Sequence, residues 1–281
     1  CNNSWTLMFG TKIIQTRVKP DIFRVSELIN GSLVLSLSKP PSMALLPWRK
    51  GIVTKIDDHT HNTRRFWIQV PELEQFDFVP GQFVTLDLPI HEKPNKRWRS
   101  YSISSWPDGS NIFELLIVHA EGGSGTSYLF DEIKVGSELI FRGAQGIFSL
   151  PPQLDKELFL ICTGTGIAPF RSMAQYIHLH QVPHQGVHLI FGCRNKADLL
   201  YYDELTALEE KMPGFHFHPV LSKEHWEGHN GHVHEVYQAL CKDRQDAYFF
   251  LCGWKQMIDD AKLAIQEMGY DKKSIHQELY G

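Results

Sequence analysis

The chain is poor in cysteine, and its few cysteines are scattered. Five occur in 281 residues, at positions 1, 162, 193, 241 and 252. With no Cys-x-x-Cys pair and no thiol cluster, neither a zinc site nor an iron–sulfur centre can be assembled from them, and no metal is expected. Isolated thiols fit a reducing compartment, so a cytoplasmic protein is expected. Long apolar runs are missing too, which argues against a transmembrane segment. Basic charge is not in excess: 28 Lys and Arg against 32 Asp and Glu give a net −4. That balance argues against nucleic acid as a partner. No nucleophile elbow surrounds Ser105 or Ser127, so hydrolase chemistry has no support. The 15 histidines include His216 and His218 on one strand face and a group at His225, His229, His232 and His234. None forms His-x-x-x-His with an added carboxylate, and all are expected at the surface.

What is present is the composition of a globular protein, 42% hydrophobic and 21% charged, long enough for two domains. The first 42 residues stand apart. They begin at Cys1, include the charge-poor run Ser32–Pro41 and precede a sensible start at Met43. A genuine extension, an over-read upstream region and a processed N-terminus with lipid on Cys1 all fit, and no function is assigned to residues 1–46.

From Trp48 the apolar period is two. Residues 51–56, 65–70, 82–88, 98–104, 112–118 and 138–141 read as strands, separated by turn pairs such as Pro80-Gly81 and Asp108-Gly109. Six short strands predict a small antiparallel β-barrel of Greek-key type over residues 47–151. Inside it, Arg99-Ser-Tyr-Ser-Ile-Ser-Ser105 sets a cation, a ring and hydroxyls in one strand. Alternation sends Arg99, Tyr101 and Ile103 one way and Ser100, Ser102 and Ser104 the other. Such a set suits a ligand with both a phosphate and a flat aromatic system. Next comes Glu121–Ser127 (EGGSGTS), read as a glycine loop opening a short helix at Tyr128. There backbone amides and the helix start attract an anion, and Thr126 or Ser127 caps the helix or donates to phosphate. A flexible Gly-Ser hairpin is the competing reading; Arg99 tips the balance toward a pyrophosphate. The basic run Lys93, Lys96, Arg97 and Arg99 reads either as a solvated loop or as a docking patch for an acidic partner.

After Glu157 the pattern changes to alternating strands and helices. Strands are predicted at 158–162, 187–191, 215–221, 248–252 and 274–278, with helices to about 180 and over 202–211, 232–240 and 255–268. This is a doubly wound α/β parallel sheet over residues 152–281. Its first strand runs into Thr163-Gly164-Thr165-Gly166-Ile167-Ala168-Pro169, a Gly-x-Gly turn for close approach to a pyrophosphate, with Pro169 in the first helical turn. Cys252-Gly253 ends a later strand at the mouth of the sheet, where ligands bind.

Taken in order, Arg99-x-Tyr101-Ser102-x-x-Ser105, Gly125-Thr126-Ser127, Gly164–Pro169 and Cys252-Gly253-x-x-x-Met257 resemble the ferredoxin–NADP reductase family from about Trp48 onward. The resemblance implies an FAD-binding barrel, an NADP- or NAD-binding domain and an active site at their junction. It assigns Arg99, Gly125, Thr126 and Ser127 to the flavin pyrophosphate, Tyr101 to the flavin ring and Ser102 to its reactive nitrogen. Ser105 joins them as a cofactor-binding position. Thr163, Gly164, Thr165, Gly166 and Pro169, with Gly253 and Met257, fall to the nicotinamide nucleotide, and Cys252 lies near its ring. Glu278-Leu279-Tyr280 is similar to the Glu-x-aromatic ending of plant-type members, where the carboxylate serves a proton path and the ring covers the flavin; Gly281 is one residue extra. Ser222-Lys223 stands where NADP-using relatives carry Ser-Arg, whereas Trp226-x-Gly228 and Gly231 look more like NADH users, so the coenzyme stays open. The activity implied is a monomeric flavoenzyme passing electrons from NAD(P)H to a ferredoxin, a flavodoxin or another small electron-carrier protein. A reductase serving an oxygenase, a free-flavin reductase and a non-catalytic flavin-binding subunit are the alternatives.

Overall fold

The computed structural model describes residues 46–280 and four strands ahead of them. Those four, β1 (Leu7–Phe9), β2 (Lys12–Ile14), β3 (Phe23–Ile29) and β4 (Ser32–Leu37), form two antiparallel pairs, β1–β2 and β3–β4. They belong to a unit of their own, Cys1–Leu46, and Pro47–Gly281 forms the other. Cys1, the lipid-bearing candidate, lies outside the described residues.

In the larger unit the alternating segments become β5 (Arg49–Thr60), β6 (Thr63–Gln69), β7 (Phe83–Asp87), β8 (Trp98–Ser102), β9 (Ile112–Val118) and β10 (Glu138–Gln145). They pair antiparallel in the order β8-β7-β10-β5-β6-β9. A bridge between Ile103 and Leu115 joins the two edge strands and closes the barrel. Ser104 N–H donates to the Glu114 carbonyl at 2.9 Å, and Glu114 N–H donates to Ser105 Oγ at 2.9 Å, so the seam is stitched from both sides. The inward residues, among them Phe66, Ile68, Leu86, Phe113, Leu115 and Phe141, are fully buried and drive closure by the apolar area they remove from water.

Helix α1 (Ser124–Asp131) starts four residues before the expected Tyr128. The Thr126 hydroxyl donates to the Gly123 carbonyl at 3.0 Å and accepts from Ala120 N–H at 3.1 Å. That fold-back turns Ser-Gly-Thr into the first helical turn instead of a loop.

The second half carries β11 (Glu157–Thr163), β12 (Val187–Cys193), β13 (Phe215–Leu221), β14 (His229–Asn230), β15 (Ala247–Trp254) and β16 (Ile275–Tyr280). They form one parallel sheet in the order β14-β13-β12-β11-β15-β16. Strand β14 was not anticipated, because two residues leave no period to read. The tail is an edge strand, paired to β15 through Trp254 and Tyr280. Helices α2 (Ile167–Leu179) and α3 (Tyr202–Lys211) cover one face, and α4 (Val233–Leu240) and α5 (Lys255–Glu267) the other. Alternation along β11 divides its residues accordingly: Leu158 and Leu160 pack under α2, Phe159 and Ile161 under α4 and α5. From β11 the chain winds outward to β14 on one side and to β16 on the other. The crevice between the C-terminal ends of β11 and β15 is therefore the switch point of the sheet, where such folds bind ligands.

His216, His225, His229 and His232 are exposed as expected, whereas His218 and His234 are half-buried. Rings of His188, His216 and His218 stack across β12 and β13 with centroids 5.1 and 5.4 Å from His188, and His188 Nδ1 lies 3.2 Å from His218 Nε2. Register alone sets this face: His188 pairs with His216, and His218 follows two residues on. Burial, helped by the neighbouring imidazoles, holds His218 down to about 3. His188 is also lowered by burial, against the pull of Glu157. A folded pKa below the ordinary 6.5 means that the unfolded chain binds more protons. Stability is complete above about pH 6.5 and falls as pH drops toward the folded value. Between pH 7 and pH 5, His218 is expected to account for a loss of about 1–2 kcal/mol, allowing for partial solvent screening. Urea unfolding at the two pH values measures it, and His218→Asn should flatten the dependence; an unchanged slope would place the acid sensitivity elsewhere.

Candidate active site

Two phosphate-type cradles and a polar cluster are built at the seam between barrel and sheet. The first cradle pairs β8 with α1. Arg99 donates Nη1 to the carbonyls of Lys96 at 3.1 Å and Trp98 at 2.8 Å, and among the described residues no carboxylate pairs with it. Its side chain lies against Gly125, where a Cβ would stand 3.1 Å from Arg99 Cγ and 3.2 Å from Nε. A side chain at position 125 would crowd Arg99 where it lies over the helix start. That start has no side-chain cap on its Gly123 N-cap, leaving its first amides to an anion. Ser127 Oγ lies 3.4 Å from His119 Nε2 beside it. An unpaired guanidinium, uncapped amides and a cradle that a Cβ would crowd fit the pyrophosphate of a dinucleotide such as FAD. Tyr101 rests half-buried against the barrel core, its phenol pushed up to about 12 by burial although Arg99 opposes the shift.

The second cradle is at the switch point. Gly164 has φ +53 and open space around it. At Gly166 a Cβ would run into the backbone carbonyl of Cys252, and at Gly253, with φ +139, a Cβ would lie 2.5 Å from Thr163 Oγ1. These glycines let two strand ends touch, so that the backbone around Thr163–Gly166 faces the crevice. Thr163 Oγ1 accepts the Trp254 N–H at 3.5 Å. Pro169 is buried as the third residue of α2, where its missing amide is no loss.

Between the cradles, residues far apart in sequence meet. Ser102 Oγ donates to Glu278 Oε2 at 2.8 Å, linking barrel to sheet edge. Glu278 is raised above the ordinary carboxylate range by burial, partly offset by that hydrogen bond. Cys252 pairs in register with Glu278 and is fully buried; burial, Glu278 and Cys162 push its thiol up. The Tyr280 hydroxyl, raised by burial and by Cys252 and Glu278, sits by Ser102 and Cys252, yet no partner among the described residues reaches it with hydrogen-bond geometry. A buried hydroxyl left without a partner is open to a hydrogen bond from a ligand group.

Three of the expected site residues have contacts within the fold. Ser105 Oγ accepts a barrel-seam amide, so its hydroxyl closes the barrel. Met257 packs under α5 with Ile258 and Ala261, on the sheet face away from Cys252, because α5 starts at Lys255 and turns its apolar stripe inward. Ser222 donates Oγ to the Cys193 carbonyl at 3.2 Å. Within the basic run, Arg97 is paired with Asp87 at 2.8 Å, while Lys93 and Lys96 are exposed around the turn at Pro94–Lys96.

The domain description "Oxidoreductase FAD-binding domain" matches residues 50–150, and "Oxidoreductase NAD-binding domain" matches residues 160–263. A ferredoxin–NADP reductase B of Sorangium cellulosum is 35% identical over 214 residues, covering 73% of this chain and 86% of that protein. The chain belongs to the ferredoxin–NADP reductase family. Members differ in what is attached to this pair of domains. The anthranilate 1,2-dioxygenase electron transfer component of Acinetobacter baylyi is 32% identical over 211 residues, 74% of this chain but only 60% of its own length. This chain thus spans less than two thirds of that relative. The solved ferredoxin–NADP+ reductase of Neisseria gonorrhoeae, with bound FAD and NADP, superposes with a TM-score of 0.69 at 26% identity, covering 83% of this chain and 98% of that one.

Within this family fold, Arg194 escaped the sequence reading, and Trp226, read there as a coenzyme marker, has a structural part as well. Arg194, at the end of β12, accepts the Lys223 N–H on its carbonyl at 3.0 Å, so two exposed cations stand on neighbouring strand ends. Trp226 is buried and braces the adjacent loop, its Nε1 donating to the His229 carbonyl at 2.8 Å.

Proposed function

We propose that this chain is an FAD-dependent reductase that takes a hydride from NADPH and delivers single electrons to a separate small electron-carrier protein, a ferredoxin or flavodoxin. The domains are taken as barrel 47–151 for the flavin and sheet 152–281 for the coenzyme. When bound, FAD supplies chemistry no side chain has: it accepts two electrons at once and releases them singly. Arg99 and the first amides of α1 bind the pyrophosphate, and Tyr101 offers a flat surface to the ring. The Gly164–Gly166 turn orients the coenzyme at the switch point, and Tyr280 shields the cleft from water until the coenzyme arrives. Glu278, raised above the ordinary carboxylate range by burial and hydrogen-bonded to Ser102 Oγ, is the group placed to relay a proton between the cleft and solvent. Exposed Lys93 and Lys96, in the turn leading to Arg99, suit an acidic carrier. No helix among the described residues is long and apolar enough to cross a membrane, and a monomer is proposed.

The observation that carries this reading is the Ser102–Glu278 hydrogen bond, which joins the barrel strand that carries Arg99 to the edge strand of the sheet. An absorbance spectrum of the purified protein tests it: an oxidised flavin band that bleaches on adding NADPH supports it, and a colourless protein that stays colourless with FAD ends it. A second reading, supply of electrons to an oxygenase, is favoured by the relative of that kind in Acinetobacter baylyi. Turnover with isolated ferredoxin against an oxygenase component separates the two.

NADPH is preferred to NADH because Arg194 and Lys223 stand together where a 2′-phosphate would need cations. Lys223→Ala and Arg194→Ala are each expected to raise KM for NADPH about tenfold, about 1.4 kcal/mol, with KM for NADH within twofold. Equal effects on both coenzymes would show that Arg194 and Lys223 do not read the 2′-phosphate.

A further inference from the structure

We propose that Arg171, on α2, is a positioning residue that sets the distance between the flavin edge of the barrel and the coenzyme turn of the sheet. The inference rests on the hydride-transfer reading above.

Arg171 is nearly buried, with its side chain 6% exposed, and it grips both sides of the barrel seam at once. Its Nη1 donates to the Ser104 carbonyl at 2.9 Å and to Glu114 Oε2 at 3.1 Å. Ser104 follows Ser102 by two residues, and Glu114 is the seam residue of β9 opposite it. On its other side Arg171 makes a two-pronged bond to Glu204 of α3, Nε to Oε1 at 2.8 Å and Nη2 to Oε2 at 2.9 Å. Gln175 Nε2 reinforces Glu204 at 2.8 Å. The guanidinium also lies 4.3 Å from the Tyr201 ring centre, and Tyr201 Oη donates to Glu114 Oε1 at 2.6 Å.

Tyr201 shows how firmly the set is held. Its φ is +55, a left-handed value that is costly for a tyrosine. It is pinned at both ends, by Glu114 at the hydroxyl and by His59 Nε2, which accepts its N–H at 2.9 Å. Burial opposes the charge of Arg171, but Tyr201, Glu114 and Glu204 outweigh it and hold the guanidinium above its ordinary value.

The leverage is short. Arg171 lies five residues beyond Gly166 on the helix that the coenzyme turn opens, and Ser104 lies two residues beyond Ser102. One guanidinium therefore links the two halves of the reacting geometry through rigid elements about 7 Å long on each side. Hydride transfer is steep in donor–acceptor distance, so a small slip of α2 slows chemistry without touching either cradle.

The test compares Arg171→Lys and Tyr201→Phe with the wild type. Lysine keeps the charge but cannot reach Ser104, Glu114 and Glu204 together. Expected for Arg171→Lys are a tenfold or greater fall in the stopped-flow rate of flavin bleaching and a larger primary deuterium isotope effect with 4-deuterated NADPH. Coenzyme KM and flavin affinity should stay within twofold. In the flavin-free protein, hydrogen exchange should quicken in peptides covering the 103–116 seam. Tyr201→Phe, which removes a single hydroxyl, should move all readouts the same way by a smaller factor. Bleaching rate and isotope effect unchanged in both variants, or a rise in KM together with a fall in flavin affinity and rate, would overturn the inference. A wild type that never bleaches would instead remove the reading on which it rests.

Discussion

An Arg99→Glu protein is expected to purify folded and colourless. Arg99 has no carboxylate partner among the described residues, so its replacement breaks no internal ion pair. It does place a negative charge against the uncapped start of α1, at the point proposed for the flavin pyrophosphate. Loss of a charge-assisted contact is worth about 2–3 kcal/mol, and repulsion adds to it, so flavin affinity should fall at least ~100-fold. Flavin content after dialysis and a fluorescence titration with FAD measure the effect. The melting temperature of the flavin-free protein should shift by only a few degrees. A variant as yellow as the wild type would show that Arg99 does not hold the cofactor.

Gly166→Val is expected to give the complementary defect, a yellow protein that NADPH does not bleach. Any Cβ at position 166 meets the carbonyl of Cys252, which is backbone and cannot rotate away. The two strand ends at the switch point must then part, and the turn from Thr163 to Gly166 loses the shape proposed for the coenzyme. The barrel cradle is built from β8 and α1 and does not share this contact, so flavin retention should persist. KM for NADPH is expected to rise ~100-fold or more, with a cost of about 2–4 kcal/mol in stability from overpacking. Steady-state kinetics and urea unfolding check both. Normal bleaching would remove the second cradle from the proposed mechanism.

Much of this architecture is legible in the chain itself. Period-two segments marked six barrel strands, and the fully apolar run Leu158–Cys162 marked a strand covered on both faces, because burial on one face or two leaves different patterns. Gly164 and Gly166 were legible as a turn with close backbone approach: Gly164 takes a positive φ, and a Cβ at Gly166 would meet the Cys252 carbonyl. What escaped reading has physical reasons too. Strand β14 is two residues long, and the start of α1 depends on a hydroxyl folding back on its own turn. The stacking of His188 on His216 and His218 follows from register between strands 30 residues apart, and sequence order does not state register. Glu114 left one hint, a lone carboxylate inside Ile-Phe-Glu-Leu-Leu-Ile-Val, and Arg171 another, a lone cation between Phe170 and Met173. Each reads as a defect until its partner is seen.

The sequence by itself therefore determined the order of strands and helices, the two glycine turns and the family to which they belong, because those depend on local conformation and on short spacing. Only the tertiary structure decided that Ser102 meets Glu278 across 176 residues and that Arg171 binds the barrel seam to two helices. Hydrogen bonds and buried charges act over about 3 Å, and which groups come that close is set by how closed barrel and wound sheet pack, not by any segment alone.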